Sequence, residues 1–193
     1  MPYLNFPGSV LHDTALRRWG RGSITPYSDE MVNPASYDLR LGSQLRVSMW
    51  YWRWPLRRAM FMLHKANPNK YPLWGQPKQF DTYIMMPGDF ILCTSLETTT
   101  IPDDAAAQLL SKSSVGRVGL EHLHAGYGDP GFCGQWTWEL LNVAPWPIEL
   151  VAGKRIMQLV LMRLVDVPAA TYEKTGRYQN QIGPQPAKEK AKC

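Results

Sequence analysis

The chain has 193 residues, 45% of them hydrophobic and 19% charged, which suits one globular domain with its own apolar core. Its net charge of +5, from 21 basic against 16 acidic side chains, leaves a solvated basic surface, an anionic small molecule and nucleic acid all open. The three cysteines, widely separated and odd in number, argue against a disulfide framework or a structural zinc site. No uncharged apolar run is long enough to span a membrane, and the first residues lack a signal peptide's charged start and apolar stretch, so a reducing cytoplasm is the expected setting.

Sixteen prolines and fifteen glycines are spread along the chain, and helical periodicity is hard to find, so many short strands joined by turns are expected: an all-β barrel or sandwich with a few short helices. In chain order, Thr14 to Gly20 reads as a short helix that glycine ends. Tyr37, Leu39 and Leu41 alternate with Asp38 and Arg40, predicting a strand within Asn33 to Val47 with one wet side, on which Asp38 and Arg40 could pair. Residues 49 to 74 set Trp50, Trp52, Trp54 and Trp74 among basic side chains. Two readings stay open there: a platform for stacking nucleobases or meeting an acidic partner, or an insertion whose aromatics pack on the domain or across a subunit boundary. From Tyr83 to Leu120 the pattern is strand, Pro87-Gly88 turn, strand, then a serine-rich motif, and 148 to 164 add two apolar runs about a turn at 152 to 155. One domain is expected over 1 to 184, with a flexible polar tail over 185 to 193.

Most of the reactive side chains fall between Ser111 and Asn142. Lys112, Ser113, Ser114 and Arg117 offer ammonium, hydroxyl and guanidinium donors around a glycine, a set suited to holding oxyanions. Asp129 lies between Gly128 and Pro130-Gly131, a turn composition that projects a carboxylate from a loop tip. From Gln135 to Leu140 the period of two puts Trp136, Trp138 and Leu140 on one face and Gln135, Thr137 and Glu139 on the other. Glu139 is therefore expected to face a pocket or an interface.

Lys112 to Leu120, Ala125-Gly126 with Asp129-Pro130-Gly131-Phe132, and Thr137 to Asn142 resemble the active-site motifs of the dCTP deaminases, relatives of the trimeric dUTPases. Val32 to Gly42, Met86 to Leu92, Pro147 to Leu159 and Gly176 to Gln181 resemble the family's other signatures in the same order, so the resemblance runs from about 30 to 184, interrupted only at 49 to 74. It implies the distorted jelly roll of the dUTPase-like (β-clip) fold. It also implies hydrolysis of dCTP to dUTP and ammonia, in a homotrimer with sites at subunit boundaries. Zinc-dependent deaminases carry His-x-Glu with Pro-Cys-x-x-Cys, and neither occurs here. The resemblance accordingly implies chemistry without zinc, leaving His122, His124 and Cys133 as a remote metal-binding alternative.

Residue by residue, the resemblance implies Glu139 as base and proton shuttle, a role that partial burial on an apolar strand suits. Ser113 and Arg117 are implied to orient the nucleophilic water. Lys112 and Ser114 are implied to contact phosphate, Asp129 to meet the deoxyribose 3′-hydroxyl, the related aspartate of dUTPases activating water, and Tyr172, Arg177 and Gln181 to contact the triphosphate. Thr137, on the same strand face as Glu139, is placed to read the pyrimidine edge. Mg²⁺ is expected to arrive with the triphosphate, and dUTP or dTTP are further candidate ligands. The alternatives are a triphosphate diphosphatase acting through Asp129, or a bifunctional enzyme giving dUMP; a third, not favoured, is a non-catalytic binder of nucleotide or nucleic acid. The sequence departs from the family at Leu120 to His124, a shortened loop in which His124 replaces a common threonine, at Gly128, where an apolar residue is usual, and at Trp136 and Trp138, which replace aliphatics. These changes point to an altered base pocket.

Overall fold

The computed structural model describes residues 8–49, 57–70 and 72–188. In chain order it contains α1 (Asp13–Ser23), β1 (Ile24–Thr25), a short 3-10 turn at Asp29–Met31, β2 (Tyr37–Val47), α2 (Arg57–Ala66), β3 (Lys78–Gln79), β4 (Thr82–Met85), β5 (Phe90–Thr100) and β6 (Ala105–Ser111). Then follow α3 (Ser113–Gly116), β7 (Leu120–His122), β8 (Tyr127–Gly128), β9 (Cys133–Asn142), β10 (Ile148–Val151), β11 (Arg155–Arg163) and α4 (Tyr172–Thr175).

Among the described residues one antiparallel sheet runs β7-β9-β5-β2-β11-β6-β8, with β1 beside β5 and β3 beside β2, while β4 pairs with β10. Register shifts interrupt β2 against β5, β5 against β9 and β11 against β2. Bulges of this kind bend a strand and deepen its twist, which is how a sheet this wide curls around its own core. The expected all-β jelly roll with a few short helices is the observed fold. The apolar sets of β2, β9 and β11, including Tyr37, Leu39, Trp138, Leu140 and Leu159, meet inside that curl.

Several local expectations change. Helix α1 runs through Gly20 to Ser23, and a side chain at Gly20 would begin 2.6 Å from the Tyr27 ring. The glycine answers to close packing, not to helix termination. On β2, Asp38 and Arg40 do not pair: each meets a charge on another strand or loop. Asp38, 1% exposed, accepts from Asn33 Nδ2 at 2.8 Å and from Lys112 Nζ at 2.7 Å on both oxygens, with Arg155 Nη1 3.7 Å away. Arg40 donates to Glu97 through Nε at 2.6 Å and its backbone N–H at 2.9 Å. The face of β2 expected to be wet is roofed by the curl, and buried charges need partners.

Of the segment from 49 to 74, residues 50–56, with Trp50, Trp52 and Trp54, and residue 71 lie outside the described residues. Helix α2 presents Phe61, Met62 and Leu63 to solvent. The returning arm docks instead: Met49 N–H donates to Leu73 O and Gly75 N–H to Val47 O, both at 3.0 Å, and the Trp74 ring meets Phe90 edge-on at 5.1 Å. At the other end, Pro184 and residues 185 to 188, the latter expected to begin a flexible tail, make hydrogen bonds to the domain. Arg46 Nε donates to Pro184 O at 2.8 Å, Gln185 N–H to Thr137 Oγ1 at 3.0 Å and Lys188 N–H to the Tyr178 hydroxyl at 3.0 Å. Residues 189–193 lie outside the described residues.

Candidate functional site

Strand β9 alternates as predicted: Trp136, Trp138 and Leu140 are buried, while Gln135, Thr137 and Glu139 keep partial access to solvent on the opposite face. That face floors a cavity of about 420 Å³. Glu139 and Thr137 enter it from β9, Leu92 and Phe90 from β5, Asp129 from the turn after β8, Tyr172 from α4 and Gln181 from the carboxy-terminal arm. Gln185 and Ala187 close it from the tail and Trp74 from the docked arm of the insertion.

The arm that carries Tyr172 and Gln181 is stitched onto β9. Gln181 Nε2 donates to Gln135 O at 2.6 Å, Cys133 N–H donates to Gln179 Oε1 at 3.0 Å, and Gln179 Nε2 donates to Gly131 O at 2.9 Å. Tyr178 N–H donates to the Tyr172 hydroxyl at 3.2 Å, and the Tyr172 ring stands edge-on to Phe132 at 5.6 Å. Residues some 40 positions apart in sequence thus converge because an extended segment lies along β9.

Five of the expected site residues share this cavity: Glu139, Thr137, Asp129, Tyr172 and Gln181. The other five do not line it. Ser113 and Ser114 are exposed on α3, and Arg117 is exposed at its carboxy-terminal end. Lys112 has its ammonium on Asp38 of the same chain. The Arg177 side chain is exposed, and its backbone carbonyl accepts from Lys188 Nζ at 2.5 Å. The charged side chains among the described lining residues are therefore two carboxylates, Asp129 and Glu139. Such a cavity repels an anion unless cations are brought to it.

One neighbour of Glu139 entered from sequence only as a remote metal-ligand candidate. His122, 2% exposed, ends β7, which pairs with β9 so that His122 lies opposite Leu140. Its Nε2 stands 3.5 Å from Glu139 Oε2, and both atoms are buried without a hydrogen-bond partner. The remote metal alternative is not assembled: His124 is 87% exposed against Glu121, and Cys133 meets Thr100 Oγ1. Among the described residues no three His, Cys, Asp or Glu side chains converge on a metal position. Asp129, at the mouth and free of a cage, suits a hard cation that keeps its waters and arrives on phosphate oxygens.

The departures at Gly128 and Trp136 prove to be one change. A side chain at Gly128 would begin 2.4 Å from Trp136 Cη2, so the indole fills the space that a larger residue at 128 would occupy. Trp136 Nε1 donates to Thr99 Oγ1 at 2.8 Å, which fixes the ring there.

Comparison with known proteins places this geometry. The family model described as dCTP deaminase-like matches residues 10–164. The chain is 39% identical over 173 residues to a protein of Rhodococcus opacus (strain B4) named "dCTP deaminase, dUMP-forming", covering 88% of both chains. A protein of the same name from Mycolicibacterium gilvum is 38% identical over 173 residues with the same coverage. Among solved structures, the 2'-deoxycytidine 5'-triphosphate deaminase from Agrobacterium tumefaciens superposes with a TM-score of 0.62 at 22% identity over 82% of this chain. This chain spans about half of that protein, 49% of its length, and the match shows a shared fold.

Proposed function

Because the chain belongs to the dCTP deaminase-like family, we propose that it hydrolyses dCTP at two positions, releasing ammonia and pyrophosphate to leave dUMP. The observation that carries this reading is the single cavity lined by Glu139 and Asp129 together. One carboxylate serves each displacement, and relatives named dUMP-forming support dUMP over the dUTP expected at first.

At the base, Glu139 takes a proton from water as its oxygen bonds to C4. It passes that proton through the ring nitrogen to the departing amine, the C–N bond breaks and ammonia leaves. At the phosphates, Asp129 orients a second water toward the α-phosphorus and pyrophosphate departs. Thr137 faces the pyrimidine, and Tyr172 and Gln181 lie along the arm where the phosphates extend. Mg²⁺ carried by the triphosphate supplies charge neutralisation, in keeping with a lining whose charges are two carboxylates.

That same lining supports a homotrimer. Ser113, Ser114 and Arg117 are exposed in one chain and lie outside its cavity. A neighbouring copy placing them against Glu139 and the phosphates completes the donor set, with Arg177 swinging in from the arm. A reducing cytoplasm remains the expected setting. No helix among the described residues is long and apolar enough to cross a membrane.

The test is incubation with dCTP and Mg²⁺, resolving dUMP, dUTP, pyrophosphate and ammonia. Equal release of ammonia and pyrophosphate is expected. Glu139→Gln abolishes ammonia release while dCTP still binds, whereas Asp129→Asn lets dUTP accumulate. Unchanged dCTP with intact binding refutes the proposal.

A further inference from the structure

The wall beside Glu139 is apolar, and part of it comes from the 49 to 74 segment. Leu92 lies directly opposite Glu139 in the register of β5 against β9. Side chains of an opposed antiparallel pair share a face and sit about 5 Å apart at Cβ. Phe90, two residues along β5, falls on the same face, and Trp74 stands edge-on to it at 5.1 Å with the ring planes 60° apart. All three line the cavity with Glu139. Trp74 is not a loosely placed ring: its backbone bridges Ser48, and Arg46 Nη1 donates to Gly75 O at 2.8 Å.

The chemistry decides which edge of a pyrimidine meets this wall. The carbon that Glu139 addresses, C4, has two ring neighbours, N3 and C5. N3 requires a hydrogen-bonding partner, and C5 requires only contact. A wall built on Leu92 and Phe90, with Trp74 behind, answers to C5. Hydrocarbon and aromatic surfaces accept an added methyl group readily, since an apolar pocket discriminates a single carbon by only about ten- to two-hundredfold even when built to exclude it.

We propose, resting on the deaminase reading above, that the Leu92–Phe90–Trp74 wall faces C5 of the base and lets the enzyme deaminate 5-methyl-dCTP alongside dCTP. The step is the same hydrolysis. Water oxygen bonds to C4, the C4–N bond breaks, Glu139 moves the proton from water to the departing amine, and the product carries a thymine base with no change of oxidation state. Trp74 is here a specificity-determining residue.

The experiment compares kcat/KM for dCTP and 5-methyl-dCTP, following ammonia and nucleotide products, for the wild type, Trp74→Ala and Trp74→Phe. The wild type is expected to use the methylated nucleotide within about thirtyfold of dCTP. Trp74→Ala lowers the methyl-to-unmethylated ratio fivefold or more, and Trp74→Phe, which keeps an aromatic face, preserves it. Turnover of dCTP with a wild-type ratio below one-thirtieth overturns the proposal, even should Trp74→Ala fail to fold, and so does a ratio that Trp74→Ala leaves unmoved. No ammonia from either nucleotide removes the deaminase reading itself and this inference with it.

Discussion

Replacing Arg40 by Met should be among the most damaging single changes in the sheet. Glu97 has no solvent exposure, and Arg40 supplies its charged partner through Nε at 2.6 Å and a second bond through the backbone N–H at 2.9 Å. Burial pushes the Glu97 carboxyl above its ordinary value near 4.5, against the lowering pull of those Arg40 bonds. Methionine fills similar space and leaves the backbone bond in place, so the loss is the guanidinium alone. Stranding one member of a buried ion pair costs about 3–5 kcal/mol. Without the cation the folded carboxyl rises further while the unfolded one does not. Above pH 4.5 the folded variant therefore holds a proton that the unfolded chain gives up, and stability falls with rising pH. Until the folded carboxyl itself ionises, the slope approaches about 1.4 kcal/mol per pH unit. Urea unfolding followed by tryptophan fluorescence at pH 5, 6, 7 and 8 measures both effects. Adding Glu97→Gln, which keeps an acceptor for the backbone N–H and removes the charge, should recover most of the loss and flatten the slope. A single variant within about 1 kcal/mol of wild type at pH 7, below the range for a stranded buried charge, together with a flat profile, would show that Glu97 is not desolvated in the fold.

His122→Ala should lower kcat tenfold or more while calorimetric dCTP affinity stays within threefold, because the imidazole faces Glu139 at 3.5 Å and does not line the cavity; an equal fall in affinity would count against a role in positioning the carboxylate. Arg46 Nη1 and Nε donate at 2.8 Å to Gly75 O and Pro184 O, so Arg46→Ala should raise KM about fivefold and open the 176 to 188 arm to proteolysis. An unchanged digestion pattern would show that the arm holds without this clamp. Gly128→Ala should lower the melting temperature, since the new methyl begins 2.4 Å from Trp136 Cη2, and Trp136→Leu in the same chain should recover much of that loss. Additive losses in the double variant would separate the two positions.

What could be read from the sequence was what local periodicity and turn chemistry control. The alternation from Gln135 to Leu140 placed Glu139 and Thr137 on a solvent-reaching face correctly, because a strand's side-chain period does not depend on its neighbours. The Pro87-Gly88 turn and the paired runs of 148 to 164 reappear as the boundaries of β4, β5, β10 and β11 for the same reason. Partners were a different matter. Asp38 and Arg40 are two residues apart, yet their charges meet Lys112, 74 positions away, and Glu97, 57 positions away. His122 reaches Glu139 only through the register of β7 on β9, and no motif sets that register. Gly128 and Trp136 looked like separate departures until the space they share was visible.

The division of the site follows from the same limit. The motif that supplies hydroxyls and guanidinium, 113 to 117, and the strand that supplies Glu139 are adjacent in sequence, which invites the idea that they are adjacent in space. Within one chain they are not: α3 exposes its donors at the end of β6, and β9 carries its carboxylate into a cavity whose charged lining among the described residues is two carboxylates. A triphosphate carries about four negative charges and cannot settle against two carboxylates in a partly desolvated cavity without cations beside them. In the proposed homotrimer, a surface that bears the donors would meet a cavity that bears the acids, each copy offering one to the next around a closed ring.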